Sequence, residues 1–303
     1  MEKRKLGKTN LNVTVLGHGA MEIRGTRIWG GRPVTDEEAK RILNAVLDAG
    51  INFIDTAWDY GLSEEYIGKF IAHRRGEYVL ATKCGCTWVD KGDHDETPHV
   101  WTKENLRTNI ETSLKRMKTD TIDIWQLHNP SPAEVEKGDL VAFMEQVKKE
   151  GKVRHVAISS TLPHLPVFLK WGVFETYQIP YSALERAHED IISEVAKAGC
   201  GVIVRGGVAR GEPGEGLGGK DRWAAFEKAK LDELCVPGES RTTFLMRYTI
   251  SHPGMHTTIV GTKSVDHLNE NIAAAQAGPL SADVYAEAKR RLSAVGAVPA
   301  QIS

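Results

Sequence analysis

The chain has 303 residues, 41% hydrophobic and 26% charged, the mix of a folded globular protein rather than a disordered one. A formal charge of −1 gives no electrostatic reason to expect nucleic acid or an anionic membrane as partner. No apolar stretch approaches the roughly 18 residues of a spanning helix, and "MEKRKLGKTN" lacks the apolar core of a secretory signal, so the cytoplasm is the expected compartment.

The first residues, "KRKLGKTNLNVTVL", read as a hairpin turning around Lys8–Asn10, placed to plug the bottom of a barrel. An early strand follows near "VTVLGHGA". "TDEEAKRILNAVLDAG" is a helix with a capping box in Thr35 and Glu38, an apolar face at Ala39, Ile42, Leu43, Val46 and Leu47, and a stop at Gly50. Next come the strand "INFID", a helix around "SEEYIGKFIAH" and the strand "YVLATK". "TKENLRTNIETSLKRM" carries Leu106, Ile110, Leu114 and Met117 along one helical face. The strand "TIDIWQLH", the helix "DLVAFMEQVKKEG" and the strand "VRHVAIS" follow. A short helix near "LPVFLKW" leads to "TYQIPY", and "EDIISEVAKAG" leads to "GVIVR". After a Gly-rich loop come a helix near "RTTFLMRYTISH", the strand "TTIVG" and the helix "VDHLNENIAAAQ".

The strands are short apolar runs without clean polar alternation, as expected when helices cover one face and a core fills the other. Eight strand–helix pairs favour a closed (β/α)8 TIM barrel, with a doubly wound open sheet as the alternative. No linker or charge block marks a second domain, so residues 1–303 are expected to form one barrel. Cys84, Cys86, Cys200 and Cys235 lack the paired spacing of a zinc site and are few for a disulfide framework. Even with His94 and His99 downstream of the first two, reduced thiols are expected and no metal is predicted.

Strands in a parallel barrel all open on one face at their C-terminal ends. Asp55 closes "INFI", Lys83 closes "YVLAT" and His128 closes "TIDIWQL", while Tyr60 stands in the loop just after Asp55. A phenol with a pKa of about 10 is a poor acid at neutral pH unless something stabilises its anion. A nearby ammonium does so, and a buried ammonium itself needs a carboxylate. The cluster therefore reads as Asp55 holding Lys83, Lys83 lowering the pKa of Tyr60, Tyr60 donating a proton and His128 orienting the reacting oxygen. Taken singly, an Asp–Lys pair, a His or a Tyr at a strand end is more often structural. Convergence on one face is what favours chemistry, and the chemistry it suits is protonation of a carbonyl oxygen while the carbon is attacked.

"DTAWDYG", "LATK", "LHNP", "QIPYSALER" and "IVGTKSVDHLNENI", in order over nearly the whole chain, resemble the successive motifs of the aldo-keto reductase superfamily. The resemblance implies an NAD(P)-dependent oxidoreductase that moves a hydride reversibly between nicotinamide and a carbonyl, with Asp55, Tyr60, Lys83 and His128 as its catalytic tetrad. It also implies a cofactor held across the C-terminal face by Gly19, Ala20, Met21, Asp55, Ser159, Ser160 and Gln178. Arg205, Gly206, Val208 and Arg210 follow, and then Gly261, Thr262, Lys263, Ser264, His267, Glu270 and Asn271. "GEGLGG", Gly214–Gly219, matches G-x-G-x-x-G but lies outside a tight strand-to-helix turn, so it is not a Rossmann fingerprint. Its loop, with Arg210, is expected either to fold over the pyrophosphate or to be disordered. Thr262, Lys263 and Ser264 open a helix whose free N–H groups attract an anion. Taken alone, Ser264 reads as an N-cap and Lys263 as solvated; it is the family resemblance that favours NADP(H), with NAD(H) as the alternative.

The chain departs from the family pattern at two points. Ser160 stands where the resemblance implies a carboxamide-binding Asn, and Arg205 where many members stack an aromatic ring on the nicotinamide. A guanidinium stacks too, but it adds positive charge beside a ring that is cationic when oxidised. Substrate walls are expected from Trp29, Trp58 and Trp88, with Met21, His94 and His128. The polar, aromatic loop "WVDKGDHDETPHVW" hints at a sugar carbonyl. A nicotinamide-binding regulatory subunit with little turnover is the alternative function; oligomeric state is left open.

Overall fold

The structure, a computed structural model describing residues 1–302, is a closed barrel of eight parallel strands. In chain order these are β1 (Leu16–Gly19), β2 (Phe53–Asp55), β3 (Val79–Cys84), β4 (Ile122–His128), β5 (Val153–Ser159), β6 (Thr176–Pro180), β7 (Gly201–Arg205) and β8 (Thr257–Val260). Sequential strands are neighbours throughout, and Thr258 of β8 faces Leu16 of β1 to close the ring. The (β/α)8 expectation therefore holds over the open sheet.

The connecting helices form for the local reasons the sequence contains. Thr35 and Glu38 make a reciprocal capping box, with Glu38 N–H donating to Thr35 Oγ1 at 3.2 Å and Thr35 N–H donating to the Glu38 carboxylate at 2.8 Å. The helix they open, Asp36–Asp48, buries Ala39, Ile42, Leu43, Val46 and Leu47 against the barrel. No described helix is long and apolar enough to cross a membrane.

The N-terminal residues pair as an antiparallel hairpin, Lys3–Lys5 with Asn12–Thr14. Leu6 and Leu11 from its turn pack on the inward residues Phe53, Val79, Ala81, Ile124, Ala157 and Ile203. Leu6 is fully buried there, a stabilisation of about 1.5–3 kcal/mol, so the hairpin plugs the barrel. The same layer needs Gly17, because a Cβ there would lie 2.8 Å from Phe53 Cδ1. Bulk from one strand thus fills the space its neighbour leaves.

Four elements lie outside the sequence expectation. A short helix Pro132–Lys137 precedes Leu140–Lys149, a hairpin pairs Val89–Asp90 with Asp95–Glu96, and helices cover Lys220–Lys228 and Ala282–Ala294. "VTVLGHGA" is divided at Val15 between the hairpin and β1. The Gly-rich loop is a compact turn: Gly216 N–H donates to Glu212 O at 2.6 Å and Trp223 Nε1–H to Ala209 O at 3.4 Å.

Candidate active site

Residues at i and i+2 of a strand share a face, and along the inward faces apolar residues give way to polar ones towards the C-terminal end. Phe53 is followed by Asp55, Ala81 by Lys83, Ile124 by Gln126 and His128, Ala157 by Ser159, and Ile203 by Arg205. The lower layer is the barrel core. The upper layer is the floor of a cavity.

Asp55 is the hub of that floor. Its Oδ2 accepts from Lys83 Nζ at 2.5 Å. Its Oδ1 accepts from Gln178 Nε2 at 2.7 Å and from Gln126 Nε2 at 3.0 Å. Lys83 Nζ also donates to Thr56 O at 2.8 Å. Both charges are buried, and an ion pair taken out of water is tolerated only when its remaining donors and acceptors are satisfied. Here they are.

Tyr60 is delivered by the loop after β2. Thr56 N–H donates to Ala81 O at 2.9 Å and Trp58 N–H to Lys83 O at 3.1 Å, so the loop continues along β3 before turning. Ser63 Oγ binds Thr56 Oγ1 at 2.8 Å and donates to Ala20 O at 2.9 Å, fixing the start of helix Ser63–Phe70. Gly61 has φ +50, and a Cβ there would sit 2.0 Å from Arg24 O, so only glycine allows this close turn. Glu64 on the helix accepts from Thr82 and Ser113, each at 2.7 Å, locking helix to strand.

The surroundings of Tyr60 act on the acidity of its phenol. Lys83 Nζ lies 4.9 Å from the centre of the Tyr60 ring, over its face, and its charge is already matched by Asp55. Burial, with Asp55 and then Asp59, pushes the Tyr60 phenol well above its ordinary value; Arg205 is the cation that opposes the rise. Lys83, paired with Asp55 and set against the Tyr60 ring, ties the phenol to the floor.

His128 lies in edge contact with Tyr60, ring centroids 6.0 Å apart. Its Nδ1 is 3.3 Å from Asp59 Oδ1. Burial raises the Asp59 carboxyl and the adjacent His128 lowers it, and the net effect is downward. Asp59 was missed from sequence, although the second carboxylate of "DTAWDY" stands one residue before Tyr60.

Of these groups, Asp55, Tyr60, His128 and Gln178 border one cavity of about 740 Å³, which Trp29 also lines, while Lys83 and Asp59 are not in its lining. Of the residues the family resemblance marks for cofactor, Gly19, Met21, Ser159, Gln178, Arg205, Gly206, Val208 and Arg210 line it, as do Gly261, Thr262, His267, Glu270 and Asn271. Ala20, Ser160, Lys263 and Ser264 are not in the lining. Lys263 Nζ donates to Pro33 O at 2.7 Å, and Ser264 caps helix Val265–Gln276 by accepting from His267 N–H at 3.3 Å. Glu22, Arg32, Asn129, Glu185, Arg222 and Thr242 line it without having been foreseen.

Trp58 and Trp88 also stand outside the lining. They pack edge to face at 5.9 Å, with the Arg116 guanidinium over both rings at 5.3 and 5.7 Å. His94 sits on the exposed hairpin beside Asp93. Of the three tryptophans expected around substrate, only Trp29 reaches the cavity, 5.5 Å edge-on to Tyr60.

The donor set fits a nicotinamide dinucleotide. Arg205 and Arg210 face the cavity with no hydrogen-bond or ion-pair partner among the described residues, whereas Arg32 and Arg222 are paired with Glu22 and Glu185. An unpaired guanidinium suits a phosphate oxygen or the face of a planar ring. Gln178 and Ser159 place an amide and a hydroxyl, 3.4 Å apart, beside Asp55. Ala209, Arg210 and Trp29 hold left-handed φ of 48, 66 and 49, uncommon backbone for side-chain-bearing residues that clusters at binding sites.

The model of the Aldo/keto reductase family matches residues 15–292. The chain is 29% identical over 299 residues to the "Uncharacterized oxidoreductase YqkF" of Bacillus subtilis, covering 93% of each. It is 30% identical over 221 residues to the "NADH-specific methylglyoxal reductase" of Escherichia coli, covering 68% of this chain and 66% of that one. Among solved structures, the holo form of aldo-keto reductase AKR11C1 from Bacillus halodurans superposes with TM-score 0.82 at 29% identity over 96% of each chain.

Proposed function

The chain belongs to the aldo/keto reductase family, and on that premise we propose that it interconverts an aldehyde or ketone and its alcohol with a nicotinamide dinucleotide as redox partner. When bound, the cofactor supplies a hydride for the carbonyl carbon. Tyr60 Oη gives the carbonyl oxygen its proton, and burial keeps that phenol protonated at neutral pH. His128, steadied by Asp59, hydrogen-bonds the same oxygen and orients it. Asp55 and Lys83 keep the floor rigid and dry. Gln178 and Ser159 bind the carboxamide, Arg205 stands beside the nicotinamide ring, and Arg210 binds the diphosphate. The observation that carries this reading is the meeting of Tyr60, His128 and Asp55 with Gln178 and Ser159 on one cavity wall.

Among forms of the cofactor we propose NADP(H), with Lys263 as cation for the 2′-phosphate beside the N-terminus of helix Val265–Gln276. The present hydrogen bond of Lys263 to Pro33 O favours NAD(H) as the second reading. Dissociation constants for NADPH and NADH decide: NADP(H) requires NADPH to bind more tightly and Lys263→Met to erase the difference. The substrate is proposed to be a small polar carbonyl such as a sugar, because Glu22, Arg32, Asn129 and Glu185 stand beside Met21 and Trp29 in the lining. Cofactor consumption across aldehydes, ketones and keto-sugars, with Tyr60→Phe as control, tests the activity. Tight cofactor binding without turnover on any carbonyl would support the regulatory-subunit alternative instead.

A further inference from the structure

Nothing in the proposed reaction uses Cys86 or His99. The sequence sets Cys84 and Cys86 two apart, but the fold separates their roles. Cys84 is buried on β3 with its thiol on Gln126 O, and His94 is remote on the hairpin. Cys86 is instead brought to His99 and His128, with one ligand-capable atom from each lying within 4.8 Å of the others.

Three features make this more than a chance grouping. Cys86 and His99 face each other across a backbone bridge, with Thr87 N–H donating to Pro98 O at 2.9 Å and Val100 N–H to Gly85 O at 2.7 Å. The Cys86 carbonyl is held by Asn105 Nδ2 at 3.1 Å and Asn109 Nδ2 at 3.0 Å, so the sulfur is carried on fixed backbone. Asp59 Oδ1, on a residue 2% exposed, and His128 Nδ1 are both buried without a hydrogen-bond partner among the described residues, although they lie 3.3 Å apart. An unsatisfied carboxylate oxygen is costly to bury, and it flanks the cluster.

We propose that Cys86, His99 and His128, supported by Asp59, form a binding site for a divalent cation of the zinc class, and that occupancy withdraws His128 from the carbonyl and inhibits the enzyme. The inhibitory half rests on the role given to His128 under Proposed function; the cation site does not. One thiolate and two imidazoles match zinc's preference for sulfur and nitrogen. With metal bonds of about 2.0–2.3 Å, a tetrahedral centre holds its ligand atoms roughly 3.3–3.8 Å apart. Rotation of His99, the exposed member, closes the difference. As the sulfur–metal bond forms, the thiol proton leaves to solvent, and water or Asp59 takes the fourth position.

Chelator-treated protein titrated with Co²⁺ tests the site without reference to activity. The expected result is one Co²⁺ per chain, with a near-ultraviolet thiolate-to-metal band and the visible bands of tetrahedral cobalt, displaced by Zn²⁺. Cys86→Ala abolishes the thiolate band, and His99→Ala weakens binding at least about 100-fold. His99 is exposed, so its variant keeps the test decisive if Cys86→Ala fails to fold. Absence of the band, or a band unchanged in both variants, overturns the site. In the second arm Zn²⁺ inhibits the wild type over the range in which it displaces cobalt, and His99→Ala resists by the same factor. Zinc bound at full occupancy with turnover unchanged overturns the inhibitory half and the role of His128, and leaves the cation centre standing.

Discussion

At the floor of the cavity, Asp55 accepts from Lys83, Gln126 and Gln178, and Lys83 has a second acceptor in Thr56 O. At the rim, Arg205 and Arg210 have no hydrogen-bond or ion-pair partner among the described residues. The charges of the floor are paired and the guanidiniums of the rim are not. The difference teaches where ligand binding can change energies. A satisfied buried network rigidifies and leaves nothing to gain, whereas unpaired charges at a rim are stabilised only when something arrives.

The contrast is broken most severely at the floor. Lys83→Met leaves the Asp55 carboxylate buried without its cation, an uncompensated charge costing about 3–5 kcal/mol. A clear fall in the urea midpoint is expected, and an unchanged midpoint would mean the floor is not a folding element. Tyr60→Phe separates the two regions. The phenol has no side-chain hydrogen bond among the described residues, so stability is expected to stay within about 0.5 kcal/mol and cofactor binding to persist. Turnover, however, is expected to fall about 10²–10⁴-fold with loss of the acid. A variant that keeps its activity would remove Tyr60 from the chemistry.

The pH dependence sharpens the comparison. Because burial raises the Tyr60 phenol, the protonated form needed for reduction persists through pH 7 to 10, and that rate is expected to stay flat. Alcohol oxidation needs the phenolate, so its rate should climb about tenfold per pH unit over the same range. A reduction rate already falling below pH 10 would contradict the raised phenol. The smallest expected effect is at β7. Arg205→Tyr removes a cation from beside the ring site, so the oxidised cofactor should bind a few-fold better relative to the reduced form. An unchanged ratio of dissociation constants sinks that role.

Much of this was legible without coordinates. Alternating apolar runs and capped amphipathic helices specified a parallel barrel, because period and punctuation are local properties of a chain. Helix Ala282–Ala294 escaped because it lies past the last strand, and Lys220–Lys228 because it follows a Gly-rich stretch that reads as loop. Asp55, Lys83 and His128 could be picked out as strand-end residues, since a common strand direction sends every strand end to one face.

By itself, then, the sequence determined the order of elements, the capping of Asp36–Asp48, the plugging hairpin and the face on which ionisable groups gather. Tertiary structure alone decided which of those groups are paired. That Asp55 pairs with Lys83, that Lys83 lies over the Tyr60 ring, that Lys263 turns to Pro33, and that Cys86 meets His99 and His128 rather than Cys84 and His94 are matters of ångströms between distant segments. Pairing energies vary steeply over such distances, and spacing along a chain does not encode them.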